Sequence, residues 1–275
     1  MTHRAIYRVR PTNDYTLDEL SHGYLWFSKP SGFKGDTNDA NIGAFVTDTP
    51  AIKRGFEYAR SEFAFEEWYQ DMSHTGICCF TRKLPHKSKL RNFPGCSSGK
   101  AVCIEFNRKI LESFFERHRQ HPIVPCFRKV IYSLQPTKIE SIDDWSILWA
   151  IGDGYKEYKT IPGILHSHPR VFDEFLYKLL TRISSRYKRQ KEERIIIGAG
   201  MVPSDDPSLL GYKVSIPIEA IAKIYVYPKV SEKWIKELEG IEQLRGKNRS
   251  IMIYLLQYHV SIGVSISRDI FALYK

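Results

Sequence analysis

The chain has no apolar run approaching the roughly 18 residues that a membrane-spanning helix needs. No stretch near Met1 has the apolar length of a signal peptide, so a soluble, cytoplasmic protein is expected. Its five cysteines are odd in number and scattered (Cys78, Cys79, Cys96, Cys103 and Cys126). That pattern argues against a disulfide framework and fits a reducing compartment. The paired C-x-x-C spacing of structural zinc sites is missing, and no metal is expected. There is no internal repeat, proline-rich linker or acidic tail. No Walker-type phosphate loop occurs. Gly152-Asp153-Gly154 reads as a turn, and Gly198-Ala199-Gly200 lacks the full glycine set of a dinucleotide fingerprint.

What the chain does have is length, apolar content and positive charge. Its 275 residues are 43% hydrophobic and 26% charged, the composition of a folded globular protein with a sizeable core. Lysine and arginine number 41 against 31 acidic residues, a formal net charge of +10. That excess favours an anionic partner: a nucleic acid, a phosphate-bearing cofactor or an acidic protein.

Hydrophobic periodicity predicts strands at Ala5–Arg10, Gly23–Ser28, Gly76–Thr81, Ala101–Phe106, Arg128–Tyr132, Glu192–Ile197, Tyr212–Ile216 and Ala222–Tyr227. Helices are expected at Thr16–Leu20, capped by Thr16, at Thr49–Met72, at Ile110–His118 and at Phe172–Tyr187, with another after Ser231. Residues 133–171 are the least regular. The tail Ser250–Tyr274 has β-branched runs broken by Gly263. Strands and helices are interspersed without regular βαβ alternation. The expected fold is therefore one α+β domain with a mixed, mainly antiparallel β core and surrounding helices. Residues 1–200 would form its core, and residues 201–275 would add strands and a helix packed on it.

Three landmarks carry chemistry. In Tyr7-Arg8-Val9-Arg10, period-two alternation places the two arginines on one strand face. Arginine's planar fork suits a phosphate clamp, although two solvated edge arginines would give the same pattern. In Tyr24-Leu25-Trp26-Phe27-Ser28-Lys29-Pro30, an aromatic–serine pair precedes a rigid proline and can hold a hydroxyl in a cleft. In Gln190-Lys191-Glu192, the glutamate heads a strand with a second polar group two residues away. A carboxylate so placed can hold a sugar hydroxyl and stabilise positive charge developing at an anomeric carbon. A solvated charged run is the plain alternative.

The order strand-Arg, strand-Ser, then Gln-x-Glu resembles the Arg–Ser–Glu pattern of ADP-ribosyltransferases. The resemblance implies a single domain of that type with a split β core and an NAD cleft within residues 1–200. It implies Arg8 as an NAD phosphate or ribose contact, Ser28 in the nicotinamide pocket, Glu192 as catalytic glutamate and Gln190 as the target-orienting position. Tyr7 or Phe33 would stack on the nicotinamide. Gln at position 190 is similar to the subgroup that modifies amide side chains or guanine bases. The chain also resembles a bacterial domain family of unassigned function, through residues 7–10, 26–39, 76–80, 99–106 and 192–195. In that family a Glu usually stands where Gln190 does. Transferases of this kind in bacteria are often toxins of toxin–antitoxin or phage-defence systems, which implies a cognate antitoxin as partner.

The target is read from charge. The loop at 82–100 carries Arg82, Lys83, Lys87, Lys89, Arg91 and Lys100 without an acidic residue. With Lys178, Arg182 and Arg186 on the expected helix, it could track a phosphate backbone, with aromatics for base stacking. Nucleic acid, RNA before DNA, is the expected acceptor. The alternatives are a protein acceptor, an NAD-independent ribonuclease-type toxin, and a non-catalytic nucleic-acid- or protein-binding module. His166-Ser167-His168-Pro169 is similar to a zinc isopeptidase signature, but Leu176 and Leu179 stand where that signature has Ser and Asp.

Overall fold

The computed structural model describes residues 5–33, 39–40, 45–46, 75–117, 127–135, 137–138, 177–197, 210–241, 244, 252–258 and 265–269. Alternating side chains lay down the long strands. These are β1 (Ala5–Pro11), β2 (Tyr24–Ser28), β4 (Gly76–Thr81), β5 (Ala101–Asn107), β10 (Glu192–Ile197), β11 (Gly211–Ser215), β12 (Ile221–Val226), β13 (Met252–Tyr258) and β14 (Ser265–Asp269). Shorter ones are β3 (Phe45–Val46), β6 (Arg128–Lys129), β7 (Ile131–Tyr132), β8 (Thr137–Lys138) and β9 (Arg182–Ile183). Among the described residues, the helices beside them include α1 (Asp14–His22), α2 (Arg108–Arg117) and α3 (Glu232–Glu239).

The main sheet has ten strands, in the order β11-β2-β4-β1-β5-β12-β13-β14, with β10 on β4 and β6 on β10. Its pairings are antiparallel except for β12 with β13, which is parallel. The protein is thus a single α+β domain with a mixed, mainly antiparallel sheet. The strands after residue 200 are woven into that sheet on both sides. β11 forms one edge beside β2, and β12 lies against β5.

One face of the sheet carries the larger core. Ile6, Val102, Ile104, Phe106, Ile224 and Val226 meet Leu20 of α1, Leu111 and Phe115 of α2, and Trp234 and Leu238 of α3. Near-total burial of such side chains stabilises the fold by about 1.5–3 kcal/mol each. The opposite face holds a smaller cluster, in which Cys103 and Tyr227 pack with Leu90 and Cys96 of the 82–100 loop, flanked by Tyr7, Val9 and Phe93.

Several local expectations change. Asn13, not Thr16, caps α1. Its side-chain oxygen accepts from the Thr16 amide at 3.1 Å, while the Thr16 hydroxyl turns back to the Pro11 carbonyl at 2.7 Å. Ser231 caps α3 as expected. The expected strand Arg128–Tyr132 divides at Val130, whose amide bonds to the Glu192 carbonyl, and β7 then pairs with β9 instead.

The expected helix Phe172–Tyr187 does not reach Tyr187. Residues 177–180 are helical, β9 follows, and Ser185–Gln190 is a 3-10 turn. The Thr181 amide and hydroxyl both close back on the Tyr177 carbonyl, and the Thr181 and Ile183 carbonyls accept from the Ile131 and Ser133 amides. Hydroxyl side chains that bond the local backbone favour such endings over helix continuation. The expected helix Thr49–Met72, the bulk of 133–171, the His166–Pro169 segment and Cys126 lie outside the described residues.

β11 meets β2 so closely that only glycine fits at position 211. A Cβ there would sit 2.3 Å from the Phe27 carbonyl oxygen and 2.7 Å from the Trp26 ring. Gly211→Ala is therefore expected to destabilise the fold by about 1–3 kcal/mol, the usual range for overpacking. The check is a lowered urea midpoint at unchanged m-value.

A two-signed cleft where the first strands part

β1 and β2 both meet the same edge of β4, but each through one residue pair. Tyr7 is opposite Thr81, and Ser28 is opposite Ile77. Between those two points β4 lacks a continuous neighbour, and a wedge opens. On its other edge β4 pairs fully with β10, which sets Glu192 opposite Thr81 and Arg194 opposite Cys79. A cleft of about 690 Å³ lies over this region. Its lining includes Arg8, Ser28, Phe33, Gln190 and Glu192, five residues singled out in the sequence and drawn from three separate segments.

The β1 side of the cleft is positive. Arg8 fills the wedge, giving one terminal nitrogen to Glu19 of α1 at 2.5 Å and the other to the Trp26 carbonyl at 3.0 Å. It thereby ties β1 to β2 and to α1, and it is 6% exposed. Arg10 reaches the second oxygen of Glu19 through Nε at 2.9 Å. Its two terminal nitrogens make no hydrogen bond among the described residues. Burial and the neighbouring Arg8 charge lower the Arg10 pKa, with Glu19 opposing them. Two guanidiniums, Arg8 and Arg10, thus share one carboxylate, and Arg91 adds a third positive side chain to the lining.

The β10 side is negative. Arg194, fully buried, gives Nε to Glu192 at 2.6 Å, one terminal nitrogen to the Leu180 carbonyl at 2.6 Å and the other to Asp39 at 2.6 Å. Its guanidinium also lies 5.1 Å from the centroid of the Phe33 ring. Burial opposes its charge, but Glu192 and Asp39 hold its pKa above the ordinary value. Two carboxylates therefore share one cation. The Cys79 thiol is hydrogen-bonded to Glu192. Burial first, and then the Glu192 charge, push it well above the usual thiol range, so it is neutral at physiological pH. The Tyr132 hydroxyl accepts the Glu192 amide at 2.6 Å, and burial pushes that phenol up to about 12.

The strand register separates the two sides. From Tyr7 through Thr81 to Glu192 are two inter-strand steps, roughly 10 Å. The cleft can therefore hold an elongated ligand with an anionic part near β1 and a cationic or electron-poor part near β10.

Neighbouring choices left open by sequence separate in space. Glu192 lines the cleft, whereas Glu193 is 1% exposed and pairs with Arg108 at 2.6 Å. Gln190 and Glu192 both line the cleft, though Gln190 belongs to the 3-10 turn. Lys191 between them adopts a left-handed backbone with φ 51°. The Gln190 amide nitrogen donates to the Asn92 carbonyl. Tyr7 is placed differently from its expected role. It is not part of the cleft lining and packs 6.4 Å from Tyr225, near Glu105, its phenol pushed up to about 12 by burial and the Glu105 charge.

The expected basic face is only partly assembled. Lys87, Lys89 and Arg91 sit on the 3-10 turn Lys87–Asn92, with Lys83 exposed just before it. Arg182 instead bonds the Gln135 carbonyl at 3.2 Å from β9, and Arg186 lies over Tyr187 at 4.8 Å. These two do not share a helix face with Lys178. The sequence reading missed Glu19, Asp39, Cys79, Tyr132 and Arg194. Only Arg194 carried a local signal, two residues from Glu192 on the same strand face.

The chain matches no protein-family model, no curated protein and no solved structure. Among the described residues, no group of three or more His, Cys, Asp or Glu side chains is arranged to hold a metal ion. None of their helices is long and apolar enough to cross a membrane.

Among the described residues, Glu19 is the one carboxylate paired with two cleft arginines, and it is 2% exposed. Glu19→Ala is expected to destabilise the protein by about 3–5 kcal/mol, because a buried ion pair is broken from one side. Chemical denaturation measures the loss; a change below about 1 kcal/mol would contradict the pairing described.

Proposed function

We propose that the protein is an NAD-dependent mono-ADP-ribosyltransferase with an ADP-ribosyltransferase-like split core, acting on a nucleic acid base, RNA before DNA. The observation that carries this reading is the convergence of Arg8, Arg10, Ser28, Gln190 and Glu192 on one two-signed cleft. NAD has the matching polarity, with an anionic pyrophosphate at one part and a cationic nicotinamide ring at another. Its fit is supported by the uncommitted terminal nitrogens of Arg10, which offer the fork geometry that phosphate oxygens accept. Arg8, already tied to Glu19 and Trp26, acts as the brace that aims Arg10.

In this reading Glu192 holds a hydroxyl of the nicotinamide ribose and stabilises the positive charge that builds on the sugar as the glycosidic bond breaks. Nicotinamide leaves with the bonding pair. A base nitrogen of the acceptor attacks the anomeric carbon and loses one proton. Gln190, whose amide nitrogen is anchored to Asn92, has its amide oxygen to orient the acceptor. Ser28 and Phe33 line the nicotinamide side. The resemblance further implies a cytoplasmic toxin or anti-phage effector held by a cognate antitoxin. A second reading, a non-catalytic binding module, is favoured by one observation: Arg8 and Glu192 both already hold ion-pair partners.

The experiment is incubation with NAD labelled in the adenylate, followed by separation of RNA, DNA and protein. Label is expected in RNA, with release of one nicotinamide per transfer. Glu192→Gln is expected to lower transfer at least 100-fold while the thermal transition stays cooperative. Undiminished transfer in that variant would overturn the assignment, and label confined to protein would move the acceptor class. Arg10→Ala is expected to raise the KM for NAD about tenfold with a smaller change in kcat, as loss of a ground-state phosphate contact does.

A further inference from the structure

Beside the cleft, at the rim formed by Gln190, two segments are knitted together by their backbones. The Thr81 hydroxyl donates to the Gln190 carbonyl at 2.5 Å and contacts the Lys83 carbonyl at 3.4 Å. The Arg82 amide and Nε both reach the Lys191 carbonyl, at 3.2 and 3.4 Å. The 3-10 turn carrying Lys89 is joined to the same place through Asn92 and Gln190. The outcome is a patch of exposed Arg82, Lys83, Lys89 and Lys191 drawn from three stretches of chain.

Among the described residues, this patch has no surface counter-charge. Lys83, Lys89 and Lys191 make no ion pair among the described residues. Arg82 is 3.8 Å from Glu193, a buried carboxylate that Arg108 already holds at 2.6 Å. The like charges are close enough to act on each other. The Lys83 charge foremost, with Lys89 and Arg82 contributing, pulls the Lys191 ammonium below its ordinary value. Lys191 stands between two cleft-lining residues and is itself outside the cleft lining. Anything bound on the patch is thereby brought to the edge of the cleft at Gln190.

We propose that Arg82, Lys83, Lys89 and Lys191 form the docking site for the phosphodiester backbone of a single-stranded RNA, seating the acceptor beside Gln190. The role of that RNA as acceptor rests on the transferase reading; its binding does not. Clustered cations without a counter-charge fit a polyanion, which is relieved of condensed counterions when it binds. Single-stranded nucleic acid is favoured over an acidic peptide because aromatic residues adjoin the patch. Phe93 and Tyr187 line the neighbouring cleft, and bases use such rings for stacking whereas carboxylates do not.

The test measures binding of a fluorescently labelled single-stranded RNA 12-mer by anisotropy across a salt series, without NAD. The double variant K83A/K191A is compared with the wild type, and K100A serves as a basic-loop control outside the patch. For single strands each neutralised phosphate contributes about −0.7 to the slope of log K against log salt. The double variant is expected to flatten the slope by about 1.4 and to weaken binding at low salt more than tenfold, with K100A close to wild type. An unchanged slope in K83A/K191A, no RNA binding by the wild type, or equal competition by poly-glutamate would each overturn the docking site. RNA binding that maps to the patch without any NAD consumption would leave the site standing and sink the transferase reading. NAD-dependent labelling of RNA that is insensitive to K83A/K191A would do the reverse.

Discussion

A guanidinium removed from water is tolerable only when nearly every donor finds an acceptor, and Arg194 meets that condition in one geometry. Its three partners come from different places: Glu192 on the same strand, the Leu180 carbonyl on the approach to β9, and Asp39 far earlier in the chain. Phe33 covers its face. The charge of one buried side chain therefore determines where the β10 head, the segment before it and the residues after β2 sit relative to one another. The carboxylate that lines the cleft is aimed because Arg194 leaves it few other positions. The same environment keeps the adjacent Cys79 protonated, so this wall of the cleft has acceptor character.

The opposite wall obeys the same electrostatic rule with the signs reversed. Glu19 is shared by two arginines, and the other terminal nitrogen of Arg8 bridges the gap between two strands that each meet β4 through a single residue pair. The wedge is thus held open by an ion-pair lattice where a sheet would normally have a ladder. A partly enclosed space between walls of opposite sign acts more strongly on a dipolar ligand than either wall would in open water. The glycine at 211 and the tight β11–β2 contact keep the β2 side from relaxing into that space.

Much of the scaffold was legible because strand formation leaves a period-two trace. β1, β2, β4, β5, β10, β11 and β12 all fall within about a residue of their expected spans. The grouping of Arg8, Ser28 and the Gln190–Glu192 pair was expected only through the resemblance of their order along the chain to the Arg–Ser–Glu pattern; each segment alone read as readily as a solvated or core stretch. Other features were not legible. Glu19 lies on a helix whose sequence gives no sign that its carboxylate passes beneath β1. The Tyr177–Tyr187 stretch keeps an apolar helical spacing, yet Thr181 and the demands of β7 end the helix there. That misreading carried the basic side chains of Arg182 and Arg186 to the wrong surface. The resemblance placed Tyr7 in one site with Arg8, whereas alternation sets Tyr7 on the opposite face of β1 from the two arginines. The structure follows alternation, with Tyr7 beside Tyr225 and Arg8 and Arg10 in the cleft lining.

Lys191 occupies a backbone conformation that a side chain makes unfavourable, by about 1–2 kcal/mol relative to an unstrained residue. Glycine would sit there without that penalty and end the 3-10 turn equally well. A positively charged residue at this junction, crowded by other cations, sets local stability against electrostatic character. The rim of the cleft is consequently a place where a sturdier fold and a more attractive surface for anions pull the choice of amino acid in opposite directions.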